Sequence, residues 1–100
     1  MSDTTYHVVN NDKEMQFEVE LDGEKAVLVY RFYKHDIALM HTEVPDALEG
    51  KGIASALARA AFAYAESQQK PVIVYCPFVA GFIQKHPEYK KQLDPEYNKA

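Results

Sequence analysis

The residues best suited to chemistry fall in three places. The first is Glu49-Gly50-Lys51-Gly52-Ile53-Ala54, which lies between the end of an apolar run and the start of an alanine-rich one. Glycines at such a point let the backbone come close to a ligand, and the unpaired amides of a first helical turn carry the positive end of the helix dipole, a combination suited to phosphate. An ordinary loop with a helix cap would use the same residues, so the strand, glycine turn and helix order supplies the context that favours phosphate. The second place is His41-Thr42-Glu43-Val44-Pro45, which offers an imidazole and a carboxylate. Strict alternation puts His41 on the strand face of Ile37 and Leu39, where a histidine also reads as a satisfied structural residue. The third is Cys76, the one cysteine, at the end of Val72-Ile73-Val74-Tyr75. Taken alone it reads as core rather than nucleophile, since cysteine is among the most buried residue types.

Several elements must position these groups. Met15, Phe17, Val19 and Leu21 alternate with Gln16, Glu18 and Glu20, the period of a half-buried strand over 15–21. Asp22-Gly23 then predicts a tight hairpin into a strand over 26–33 that is apolar on both parities and so belongs inside the sheet. Lys34-His35-Asp36 turns the chain into a third strand over 37–44, stopped by Pro45. An opening strand is expected around 6–9. Ile53, Leu57, Ala60, Ala61 and Tyr64 line one face of a helix over 53–67. A buried strand over 72–76 and a short helix over 79–85 follow, and the polar, tyrosine-bearing tail through Ala100 has no clear pattern. The fold class predicted is α/β with a mixed sheet: an antiparallel meander leading into one βαβ unit, as one domain spanning residues 1–100.

Composition excludes several functions. With 47% apolar and 26% charged residues and a formal net charge of −4, the chain is neither disordered nor a basic nucleic-acid binder. The apolar stretch after Gly52 is broken by Ser55, Arg59, Glu66 and Ser67, so no membrane span is expected, and the N-terminus shows no secretory pattern. One cysteine forms no internal disulfide and suits a reducing compartment, which predicts a cytoplasmic protein. His7, His35, His41 and His86 lack the paired spacing of a zinc site, so no metal is expected.

His41-Thr42-Glu43-Val44-Pro45, the turn at 49–54, Cys76-Pro77-Phe78, and Phe82-Ile83-Gln84-Lys85-His86-Pro87-Glu88-Tyr89 together resemble the small, minimal branch of the GNAT N-acetyltransferases over residues 15–93. The resemblance implies acetyl-CoA as cofactor. In that family a Gln/Arg-x-x-Gly-x-Gly/Ala motif holds the CoA pyrophosphate; Gly52 and Ala54 match its last two defined positions, and Glu49 stands where Gln or Arg is expected. Gly50, Lys51 and Ile53 complete that turn. The family fold places the cofactor where two parallel strands splay, here the ends of 37–44 and 72–76, with the pantetheine arm along Thr42, Val44 and Pro45 and with His41 and Cys76 near the gap. Two mechanisms are implied. In direct transfer, His41 or Glu43 takes the proton of an attacking amine and Cys76 protonates the departing thiolate; in a covalent route, His41 activates Cys76 as nucleophile. The direct route is the family's usual one. A lysine among Lys85, Lys90 and Lys91 would suit the CoA 3′-phosphate, although these residues also read as a solvated face.

The function implied is acetyl transfer from acetyl-CoA to an amine, on a small molecule or a protein, by a monomer or homodimer with no nucleic-acid or membrane partner. The alternative is a non-catalytic acyl-CoA-binding or interaction module of the same fold, because 100 residues leave little chain for an acceptor wall.

Overall fold

A computed structural model describes residues 6–96. The N-terminal residues read for a secretory pattern, up to position 5, and the last four of the tail lie outside this range. The predicted mixed sheet is present, with five strands in sequence order: β1 (Val9–Asn11), β2 (Gln16–Leu21), β3 (Glu24–Tyr33), β4 (Asp36–Glu43) and β5 (Val72–Val74). The first four are antiparallel, and β5 runs parallel to β4 after the helix α1 (Ile53–Ser67). A second helix, α2 (Pro77–Lys85), follows, and a 3₁₀ turn at Pro87–Gln92 ends the ordered pattern. Among the described residues no helix is long and apolar enough to cross a membrane.

Local chemistry accounts for these elements. Asp22 (φ 55°) and Gly23 (φ 78°) both occupy the left-handed region that a two-residue hairpin turn requires, which fixes Phe17 opposite Leu28 and Val19 opposite Ala26. Those pairs and Tyr30, Ile37 and Leu39 form one face of the sheet, the core face. Alpha helix α1 covers it, burying Ile53, Leu57, Ala58, Ala61, Phe62 and Ala65, a wider stripe than the predicted one, with Ala60 and Tyr64 at its margin. Tyr30 is fully buried; its ring meets those of Phe17 (5.1 Å) and Tyr64 (5.8 Å), and its hydroxyl donates to Asn10 Oδ1 at 2.8 Å. A buried phenol needs such an acceptor, and this one ties β1 to the core.

Three expectations are corrected. The opening strand lies at Val9–Asn11 rather than 6–9, because β1 pairs with β2 from Val9 opposite Glu18 to Asn11 opposite Gln16, beside the turn. The strand expected over 72–76 ends at Val74, and α2 begins at Pro77 because proline is well placed at the first helical position. The tail is placed: Tyr89 packs on Phe62 (4.8 Å) and Phe82 (5.3 Å), Leu93 forms a parallel bridge to Val72, and the Asp94 amide donates to Val72 O at 2.9 Å.

This docking brings Asp94 against buried Asp36. Burial pushes the Asp36 carboxyl up to about 6, and the hydrogen bond and negative charge of Asp94 add to it, against the opposing charges of His35 and Lys70. Asp94, accepting that hydrogen bond, is held below the usual carboxylate range. A folded-state value above the ordinary 3.8 means that the stability contributed by protonated Asp36 is complete below about pH 4 and is lost as pH rises through about 6. Asp36→Asn keeps a donor for Asp94 without a titrating proton. We expect this variant to be more stable than the parent at pH 7.5 by about 1 kcal/mol, a figure reduced for nearby solvent, with the difference absent at pH 4. Urea unfolding at both pH values checks it, and equal differences at the two would disprove the shared proton.

Candidate active site

The site is built around an irregularity in β4. Its register against β3 pairs Tyr30 with Leu39 but Val29 with His41, so Met40 is an extra residue, a β-bulge. Side chains alternate with period two, and one inserted residue reverses every face assignment beyond it. Thr42, opposite Leu28, therefore joins Leu39 on the core face, while His41 and Glu43, opposite Val29 and Val27, point to the other side. This corrects the expectation that His41 shares the face of Ile37 and Leu39. Alternation holds only as far as Leu39.

At the same point β4 and β5 part. The pairing covers Ile37 to Leu39 alone, and Leu39 O accepts from both Tyr75 N (3.0 Å) and Cys76 N (3.2 Å) as the chain leaves β5 for α2. Beyond it, β4 continues through Glu43 with no strand on that edge among the described residues. The result is a gap between β4 and the start of α2. Cys76, 2% exposed, lies in its wall on the core side, and its Sγ is 3.2 Å from Thr42 Oγ1. On the other face, His41 Nε2 and Glu43 Oε2 are 3.4 Å apart, and both side chains are more than half exposed. The two predicted chemical groups, thiol and imidazole, are thus divided by the sheet, which leaves the predicted activation of Cys76 by His41 without a contact.

The glycine turn stands beside this gap. After a 3₁₀ turn at Asp46–Leu48, Gly50 (φ 79°) and Gly52 (φ 77°) both take left-handed backbone, and nothing lies within 4 Å of where a Cβ would project at either. Gly52 is the N-cap of α1, with its carbonyl accepting from Ala56 N at 3.1 Å. No side chain caps the helix and no acidic residue lies in its first turn. The early amides of this 15-residue helix therefore meet the requirements of an anion. Val44, Glu49, Gly50, Gly52, Ile53 and Ala54, together with Leu48, Ser55 and Phe78, line a cleft of about 290 Å³. Lys51 and Pro45 lie beside it: Lys51 O accepts from the Tyr6 hydroxyl, and Pro45 O accepts from Leu48 N at 2.8 Å. These bonds hold the turn.

Ser55 and Phe78 also belong to an adjoining cleft of about 220 Å³ lined by Pro77, Gly81, Phe82, Lys85 and His86. Arg59, one helical turn beyond Ser55, places its guanidinium 5.7 Å from the Phe82 ring centre. Sequence reasoning missed Ser55 and Phe78; position 78, directly after Cys76-Pro77 at a helix start, is the signal that could have found the latter. A larger and more open depression of about 480 Å³ between Glu66, Lys70 and Leu93 has neither a glycine turn nor a helix N-terminus. Glycines, uncapped amides and a free strand edge around one cleft fit a ligand with a phosphate group and an extended amide-bearing arm.

The GCN5-related N-acetyl-transferase family profile matches residues 16–93. Protein NATD1 of Bos taurus is 37% identical over 93 residues, covering 88% of this chain and 82% of its own length. Its Xenopus tropicalis counterpart is 34% identical over 97 residues, 92% of this chain and 89% of its own. The NMR solution structure of a GCN5-like protein from Staphylococcus aureus superposes with a TM-score of 0.70 at 25% identity, covering 89% of this chain and 88% of that one.

The separation of His41 from Cys76 has a direct test. His41→Ala should leave the rate of Cys76 alkylation by iodoacetamide at pH 7.5 unchanged within about twofold, whereas a thiol activated by a neighbouring imidazole would react at least about tenfold more slowly once it is removed.

Proposed function

This chain belongs to the GCN5-related N-acetyltransferase family, and from that premise we propose that it binds acetyl-CoA in the cleft at Gly50–Ala54 and transfers the acetyl group directly to an amine. The observation that carries this reading is the parting of β4 from β5 at Leu39 beside an uncapped helix N-terminus. Bound acetyl-CoA supplies an activated acetyl thioester. The early amides of α1, with Gly50 and Gly52 allowing close approach, hold its pyrophosphate, and Lys51 and Ile53 complete the turn. The free edge of β4 and the segment through Thr42, Val44 and Pro45 orient the pantetheine arm by backbone hydrogen bonding. Phe78 and Phe82 offer apolar surface to the nucleotide end, with Arg59 and Lys85 nearby for a phosphate.

The two faces divide the proton chemistry. His41 Nε2 or Glu43 Oε2 takes a proton from the amine on the open face, where both are reachable by an acceptor from solvent. Cys76 Sγ holds the proton needed by the leaving sulfur on the core side. Direct transfer needs each group within reach of the thioester but not in contact with the other; the covalent route needs them in contact, and the bulge separates them. Glu49 supplies no side-chain donor where the family motif has Gln or Arg, so the backbone amides carry the phosphate contact.

Calorimetric titration with acetyl-CoA, beside CoA and dephospho-CoA, tests the cofactor site. One-to-one binding is expected. Gly52→Val should weaken it at least tenfold while costing the fold only about 2 kcal/mol from left-handed strain. No heat at millimolar ligand would remove the reading. Binding without transfer to any amine in a broad acceptor screen would instead leave the non-catalytic acyl-CoA module.

A further inference from the structure

The bulge at Met40 turns one hydroxyl toward the buried thiol. Thr42 Oγ1 to Cys76 Sγ, at 3.2 Å, is the one hydrogen bond recorded for either side chain among the described residues, and either atom can be its donor. Cys76 lies within the apolar cluster of Leu39, Val79 and Ile83, and is 2% exposed. At that exposure little water meets the sulfur, so a negative charge it acquires is met chiefly by a donor of the protein.

We infer that Thr42 is a positioning residue for Cys76: its hydroxyl orients the thiol in the gap and donates to the sulfur once the thiol proton has gone. This rests on the reading of Cys76 as the proton donor. In that step the S–H bond breaks, its electron pair stays on Cys76 Sγ, and the proton passes to the expelled thiolate sulfur; Cys76 is reprotonated from solvent before the next turnover. With the thiol neutral, Thr42 can donate or accept. With the sulfur anionic, only Thr42 can donate, and the bond becomes charge-assisted and about twice as strong as a neutral one. An interaction that strengthens as charge develops speeds the step without tightening resting-state binding. No other side chain is recorded making a polar contact with Sγ among the described residues.

The test uses Thr42→Val, which keeps the shape and removes the hydroxyl, and Thr42→Ser, which keeps the hydroxyl. Because Cys76 is the one cysteine, its S–H stretching band in the infrared spectrum and its alkylation by iodoacetamide both report on a single site. We expect the band to shift in Thr42→Val and alkylation to slow about tenfold, with both restored within about twofold in Thr42→Ser. Thr42→Ala, read in the same way, replaces Thr42→Val if the latter does not fold. An unmoved S–H band, or equal slowing in the valine and serine variants, would overturn the inference. Loss of acetyl-CoA binding by the parent protein would instead strike the cofactor reading, and the infrared and alkylation results would still decide whether Thr42 serves the thiol.

Discussion

The insertion of Met40 into β4 is the constraint from which the site follows. A strand has two faces and no third, so one extra residue must exchange the sides of everything beyond it. Here the exchange sends Thr42 inward, opposite Leu28, and His41 and Glu43 outward, opposite Val29 and Val27. The same residue marks where β4 leaves β5, with Leu39 O accepting the last two amides before α2. Without the bulge, a regular sheet would present the imidazole to the packed core, where a polar ring needs partners that Leu28 and Leu39 cannot give.

Much of the architecture was legible because it depends on local chemistry. Asp22-Gly23 demands left-handed backbone, the alternation of residues 15–21 demands a half-buried strand, and the apolar stripe from Ile53 demands a helix on the sheet. The glycine turn was legible for the same reason, since Gly50 and Gly52 both occupy backbone that other residues avoid. The bulge was not legible. Ile37 through Glu43 shows no glycine, proline or break in β propensity to mark an extra residue, and the register is set by pairing with β3. The division between His41 and Cys76 was therefore hidden, although each residue type was evident. The C-terminal segment was hidden for a related reason: Tyr89 and Leu93 are held by contacts with Phe62, Phe82 and Val72, more than twenty residues away for the first and last of these.

The proposed reading separates binding from proton transfer in space. In the proposed reading anion recognition falls to backbone at the start of α1, so Lys51 and Glu49 would act on it through their charge alone. The same reading gives proton chemistry to side chains on β4 and at the N-cap of α2, which stand on opposite sides of the same gap. A small chain can hold both because one sheet supplies two surfaces.

The bridge between Leu93 and Val72 bears on how copies of the chain behave in a crowded solution. A three-residue strand such as β5 leaves exposed amides and carbonyls on its outer side, a template for another chain's strand. Leu93 and the Asp94 amide cover that side, with Asp94 N bonded to Val72 O. At the opposite end of the sheet the outer side of β1 has no strand paired to it among the described residues, and it is short, carrying Asn10 and Asn11 beside Val9. Strand-to-strand aggregation is thus suppressed at one end of the sheet by the chain's own tail, and any growth by added strands would begin at the other.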